Sequence, residues 1–107
     1  MPEFIVSWSA YGPSGRLQAI SQAEATRSVQ EHLWAMGLEA TVHYDRTMPG
    51  LGEWEGDFII LKSLVKRYGD MASFGVCVYE VGQKSFYDAQ REVLEVQRLT
   101  QEASHAT

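Results

Sequence analysis

The chain has 107 residues, a formal net charge of −5 and 45% hydrophobic residues, the size and composition of one globular domain with a core of its own. The charge argues against adhesion to a nucleic acid backbone or an anionic lipid surface, both of which require clustered Lys and Arg. A single cysteine, Cys77, excludes an internal disulfide, and the first nine residues carry Glu3 but no Lys or Arg; with no apolar run near the ~20 residues of a membrane span, the expectation is a cytoplasmic protein without a secretory leader.

In chain order, Glu3 to Ser9 alternates Phe4, Val6 and Trp8 with Ile5, Ser7 and Ser9, the pattern of a strand. Tyr11-Gly12-Pro13-Ser14-Gly15 reads as the turn that ends it. Ser21 and Glu24 have capping-box spacing, with Ile20 placed to staple onto Ala25. The apolar stripe Ala25, Val29, Leu33, Met36 followed by Gly37 then predicts a helix over 22–36. Residues 39–46 alternate Ala40, Val42 and Tyr44 with Thr41, His43 and Asp45, a half-buried strand. After a loop at 47–52, a further strand is expected over 53–61. Its end, Phe58 to Leu61, is apolar throughout, as when both faces are covered. These two strands read as a long-looped antiparallel hairpin.

Leu61, Leu64, Val65 and Tyr68, followed by Gly69, suggest a short helix at about 63–68, with a plain loop as the alternative. Residues 74–81 form another apolar strand. Ser85 to Asp88 resembles a helix start, and Phe86, Ala89, Val93, Val96 and Leu99 carry a stripe onward, flanked by the pairs Arg91–Glu95 and Glu95–Arg98. Residues 103–107 read as a frayed tail. The expected fold is therefore α+β, in the order β-α-β-β-(short α)-β-α. Its four-stranded, mostly antiparallel sheet would carry helices on one face. A real short helix allows a parallel crossover and a ferredoxin-like arrangement with an added C-terminal helix; a loop would instead join the last two strands as a hairpin.

No motif fixes a reaction. The Tyr11 to Arg16 loop lacks phosphate-loop spacing, and Pro13 removes one donor. Cys77 lies in an apolar strand, where a thiol is held protonated. Lys62, Lys66 and Arg67 form a basic cluster that either complements the end of a short helix and neighbouring acids or receives a small anion or acidic partner. His43 and Asp45 fall two apart on one strand, so a carboxylate would stand beside an imidazole as a general base requires; a metal would need further ligands, and none is placed by spacing. The most distinctive segment is Glu53-Trp54-Glu55-Gly56-Asp57. Strand alternation would put the three carboxylates on one face and Trp54 on the other. Such a strip either protects a sheet edge from aggregation or meets a basic partner. Trp8 and Trp34 default to packing, but an exposed Trp34 would mark an interface.

Two functional classes follow. The favoured one is a non-enzymatic interaction domain, an inhibitor or accessory factor. It would dock on a basic, nucleic acid-binding-type surface of another protein through Glu53, Trp54, Glu55, Asp57 and Trp34, without touching nucleic acid or membrane. Small acidic inhibitors of phages and mobile elements share its size and charge, though no residue motif ties the chain to them. The alternative is a small-molecule enzyme or ligand-binding protein on a dimeric ferredoxin-like scaffold, using His43, Asp45 and Tyr44, with Tyr79 and Glu80 from another strand. Neither reading calls for a cofactor or a metal, and both are compatible with a homodimer.

Overall fold

A computed structural model of the chain describes residues 1–9, 12–44, 51–70 and 73–105. The elements are β1 (Glu3–Trp8), β2 (Gly12–Gln18), α1 (Gln22–Ala35), β3 (Ala40–His43), β4 (Asp57–Leu61), α2 (Lys62–Tyr68), β5 (Gly75–Glu80) and α3 (Phe86–His105). The strands form one five-stranded sheet in the order β2-β1-β5-β4-β3, with every neighbouring pair antiparallel.

Three expectations need correction. First, the sheet has a fifth strand, because the Gly- and Pro-bearing segment read as a turn is β2. It pairs on one side only, with β1, and an edge strand tolerates Pro and Gly. The register steps from Val6↔Gly15 to Ser7↔Pro13, so Ser14 is the extra residue of a bulge. Second, the short helix α2 exists, but the strands it joins, β4 and β5, are antiparallel neighbours. No parallel crossover forms, and the arrangement is not the ferredoxin-like one. Gly69 closes α2 in the left-handed region at φ 75°, its amide donating to the Val65 carbonyl at 2.7 Å.

Third, helices cover both faces. Phe4, Ile59, Leu61, Val76 and Val78 point to one side, where they pack with Ala25 and Leu33 of α1. Phe58, Cys77 and Tyr79 point to the other and pack with Phe86 and Ala89 of α3 and with Trp54. The central strand β5 is buried from Gly75 through Tyr79, so the apolar run at its centre reflects cover on both sides.

Helix α1 starts as its sequence suggests, with Ser21 Oγ accepting from the Glu24 amide at 3.2 Å. Glu24 Oε2 reaches the Ile20 amide (2.7 Å) rather than that of Ser21. Ile20 is 72% exposed and makes no staple.

Helix α3 is capped by Ser85 and Asp88: the Asp88 amide donates to Ser85 Oγ (3.2 Å), and Asp88 Oδ2 accepts from the Ser85 amide (3.1 Å). Its first turn is core. Phe86 stacks on Phe58 with centroids 4.4 Å apart and meets Trp54 edge-on at 5.3 Å. From Leu94 to Ser104 every residue is exposed, so the helix, which takes in the segment expected to fray as far as His105, runs off the sheet for more than half its length.

We expect Phe86→Ala to lower the unfolding free energy by about 3–5 kcal/mol and Leu94→Ala to change it by less than about 0.5 kcal/mol. Urea unfolding measures both, and comparable losses would mean that α3 is not rooted by its first turn.

Candidate interaction surface

The acidic segment does not form the alternating strand expected of it. β4 begins only at Asp57, because the preceding residue, Gly56, turns the chain at φ 79°. A Cβ at Gly56 would lie 2.5 Å from the Val78 carbonyl and 2.6 Å from Tyr79 Cβ, so glycine alone lets the backbone press against β5 here. The chain before it passes over the aromatic cluster as a shelf. Trp54 is 5% exposed and edge-on to Phe86. It is a core residue, not a surface anchor. The Glu55 amide donates to the Lys84 carbonyl at 2.5 Å, tying the shelf to the entry of α3. Glu53 and Glu55 are exposed, and among the described residues no ion pair reaches either of them.

Asp57 is separated from those two carboxylates. Strand parity places it with Ile59 and Leu61 on the α1 face, where its Oδ2 accepts from Thr26 Oγ1 at 2.6 Å. Gln22 Nε2 extends this network to Thr26 Oγ1 (3.0 Å) and the Val78 carbonyl (2.8 Å). Asp57 is thus a structural carboxylate holding α1 to the sheet.

Trp34 is 52% exposed, and it too lies on the α1 side. Its Nε1 and Gln30 Nε2 both donate to the Ala40 carbonyl, at 2.9 and 3.0 Å. The indole therefore occupies an acceptor of the edge strand β3, one way of blunting a sheet edge. The structure does not bring Trp34 and Asp57 together with Glu53 and Glu55.

The residues of the enzyme alternative do not converge among the described positions. His43 is half-buried on the α3 face, edge-on to Phe58 at 6.3 Å. Tyr44, the next residue, is 83% exposed. Asp45 lies outside the described residues, as does Tyr11. Tyr79 is buried, and burial followed by the charge of Asp88 pushes its hydroxyl above the ordinary value. The Glu80 backbone amide is engaged by Gln83 Oε1 at 3.0 Å. Burial pushes the Cys77 thiol up to about 12, outweighing backbone hydrogen bonding from Tyr87 and Phe86; this is the opposite of an activated nucleophile. Among the described residues no three His, Cys, Asp or Glu side chains gather as a metal site. Gly12 to Arg16, which lack phosphate-loop spacing, pair along β1 as part of β2. Lys62, Lys66 and Arg67 lie exposed on α2, with the Arg67 guanidinium 5.5 Å from the Tyr68 ring centroid.

What sequence reasoning missed is α3 as a surface. Leu94, Val96 and Leu99 are 57%, 62% and 51% exposed. Its charges are largely settled within the chain: Arg91 pairs with Asp88 rather than Glu95, Arg98 bridges Glu95 and Glu102, and Lys84 pairs with Glu92. A stripe continuing well past the last strand was the available signal, since a helix that outruns its sheet cannot bury all of it. The shelf and this helix together hold Glu53, Glu55, Asp88, Glu92, Glu95 and Glu102 against Lys84, Arg91 and Arg98. Three of the chain's five net negative charges are thus on this side. No helix among the described residues is long and apolar enough to cross a membrane. Compared with family models, with curated proteins and with solved structures, the chain matches none.

Asp88 also sets a pH dependence. Burial raises its pKa, but the Ser85 amide and hydroxyl, with Arg91, outweigh that and hold the carboxyl below the ordinary value. A depressed folded-state pKa contributes stability above the unfolded carboxylate range, which is lost as pH falls through the folded value. Asp88→Asn is expected to cost about 0.3–1.5 kcal/mol at neutral pH and nothing near pH 2. Thermal unfolding across that range checks it; a constant difference would remove the ionised cap from the account.

Proposed function

We propose that the chain is a non-enzymatic protein–protein interaction module that docks on a basic surface of another protein, with Glu53 and Glu55 as its leading contacts. The observation that carries the reading is the pair of exposed carboxylates, without an ion pair among the described residues, on a shelf anchored by a buried tryptophan. Free carboxylates at the surface repel one another and add nothing to folding, whereas a cationic partner would gain from both. Their backbone is held at Trp54 and at the Glu55–Lys84 hydrogen bond, so docking would order two side chains rather than a loop. The negative charge on the α3 side would steer a cationic partner from beyond contact distance. A surface built for nucleic acid offers the matching array of Lys and Arg, and a protein covering it would act as an inhibitor or accessory factor.

A lysine- and arginine-rich peptide serves as the probe, with affinity measured by calorimetry at about 0.05 M and about 0.5 M salt. The double substitution Glu53→Gln/Glu55→Gln is expected to weaken binding by about tenfold at the lower salt. A charge-matched control on the α1 side, Glu31→Gln/Glu39→Gln, should change it by less than about twofold. Equal losses in the two variants would reduce the effect to net charge and end the shelf reading.

A further inference from the structure

The projecting half of α3 has its own logic. Phe86, Ala89, Val93, Val96, Thr100 and Ala103 are spaced 3, 4, 3, 4 and 3 residues apart, the repeat of a coiled-coil seam. The first two members are fully buried against the sheet. Val93 is half-buried, and Val96, Thr100 and Ala103 continue the same face into solvent. Thr100 turns its hydroxyl back to the Val96 carbonyl at 2.8 Å, leaving its methyl for the seam. We propose that this seam is completed by a second copy of the chain, α3 against α3 in antiparallel orientation about a two-fold axis near residue 98.

Three observations select that occupant. The seam is flanked by Gln90, Gln97 and Ser104 on one side and by Glu92 and Leu99 on the other. Glu92 is already paired with Lys84, so two identical helices meet with no like charges opposed, while a basic partner would find no free carboxylate there. The orientation follows from sterics. The sheet fills the seam at Phe86 and Ala89, so a second helix has only the stretch from Val93 outward, and its own sheet must lie at the far end. Antiparallel pairing then sets Val93 against Ala103 and Val96 against Thr100 of the second copy, and each such contact occurs twice, as an isologous interface requires. Leu99 meets its own counterpart across the axis, which accounts for an apolar residue in a flanking position.

The third observation is a shallow groove of about 340 Å³ between the shelf and the helix, lined by Leu51, Lys84, Val93 and Val96 among others. In this register it receives the last turn of the second α3. The partial negative charge at that helix end arrives beside Lys84. The groove borders the shelf at Leu51 and Gly52 but is lined by neither Glu53 nor Glu55, so dimerisation would present those two carboxylates twice.

Sedimentation equilibrium of the full chain should show a reversible dimer within about 1–500 µM, and Val96→Glu/Leu99→Glu should weaken it at least about tenfold. Both positions are more than half exposed, and circular dichroism would verify that the variant still folds. Orientation is read by oxidising single-cysteine substitutions with diamide, the native Cys77 being buried. Leu99→Cys is expected to form disulfide-linked dimer about tenfold faster than Leu94→Cys, which is equally exposed but faces away from the seam. A monomer at every concentration, or equal rates for these two variants, would overturn the proposal. Faster linkage through Val96→Cys than through Leu99→Cys would overturn the antiparallel register. A strictly monomeric protein that still bound the basic peptide would leave the shelf reading intact.

Discussion

Phe86 occupies the point where three parts of the chain meet. Its ring stacks on Phe58 of β4, takes the edge of Trp54 and closes the α3 side of the sheet with Cys77 and Ala89. Burying a ring of this size stabilises the fold by about 1.5–3 kcal/mol, but its positional role is larger. The same contact seats the acidic shelf and fixes where α3 starts, hence the direction in which it leaves the domain. A first turn shifted by one residue would rotate the stripe by about 100° and move the root of both surfaces. Gly75 belongs to the same constraint, because a Cβ there would meet the Phe58 ring and lie 2.9 Å from the Ile59 carbonyl. The glycine gives the stacked pair its floor.

The two faces of the sheet differ in kind. The α1 side is tied together by hydrogen bonds: Thr26 to Asp57, Gln22 to the Val78 carbonyl, and Gln30 with Trp34 onto Ala40. The α3 side is aromatic and covered only over the first turns of its helix. Unspent binding capacity, both apolar and anionic, collects there. Surface ion pairs along α3 contribute little to stability, but they neutralise its outer face and leave the uncharged seam as its most distinctive feature.

Much of the fold was legible in the sequence, for identifiable reasons. The capping pairs Ser21/Glu24 and Ser85/Asp88 marked two helix starts, Gly69 marked the end of α2, the apolar run at 58–61 marked a strand with two covered faces, and the apolar run at 74–81 marked a further strand. Strand β2 was hidden because Pro and Gly signal a turn unless the strand lies at an edge, and edge position is a tertiary fact. The direction of β5 relative to β4 was equally hidden, since a short connecting helix permits either sense. In the acidic segment, alternation suggested a strand, but φ 79° at Gly56 breaks the period just before β4. That break turns Trp54 inward and parts Asp57 from Glu53 and Glu55. The sequence therefore named two of the shelf's carboxylates for a reason that the backbone does not obey.

Whether the shelf is the docking surface is decided by a residue-resolved NMR titration of the folded chain with the basic peptide. Docking at the shelf should concentrate chemical-shift changes at the backbone amides of residues 51–55 and at Lys84, with the α1 and β3 edge around Trp34 unmoved. Changes centred on Trp34, Gln30 and Tyr44, with the shelf silent, would contradict it.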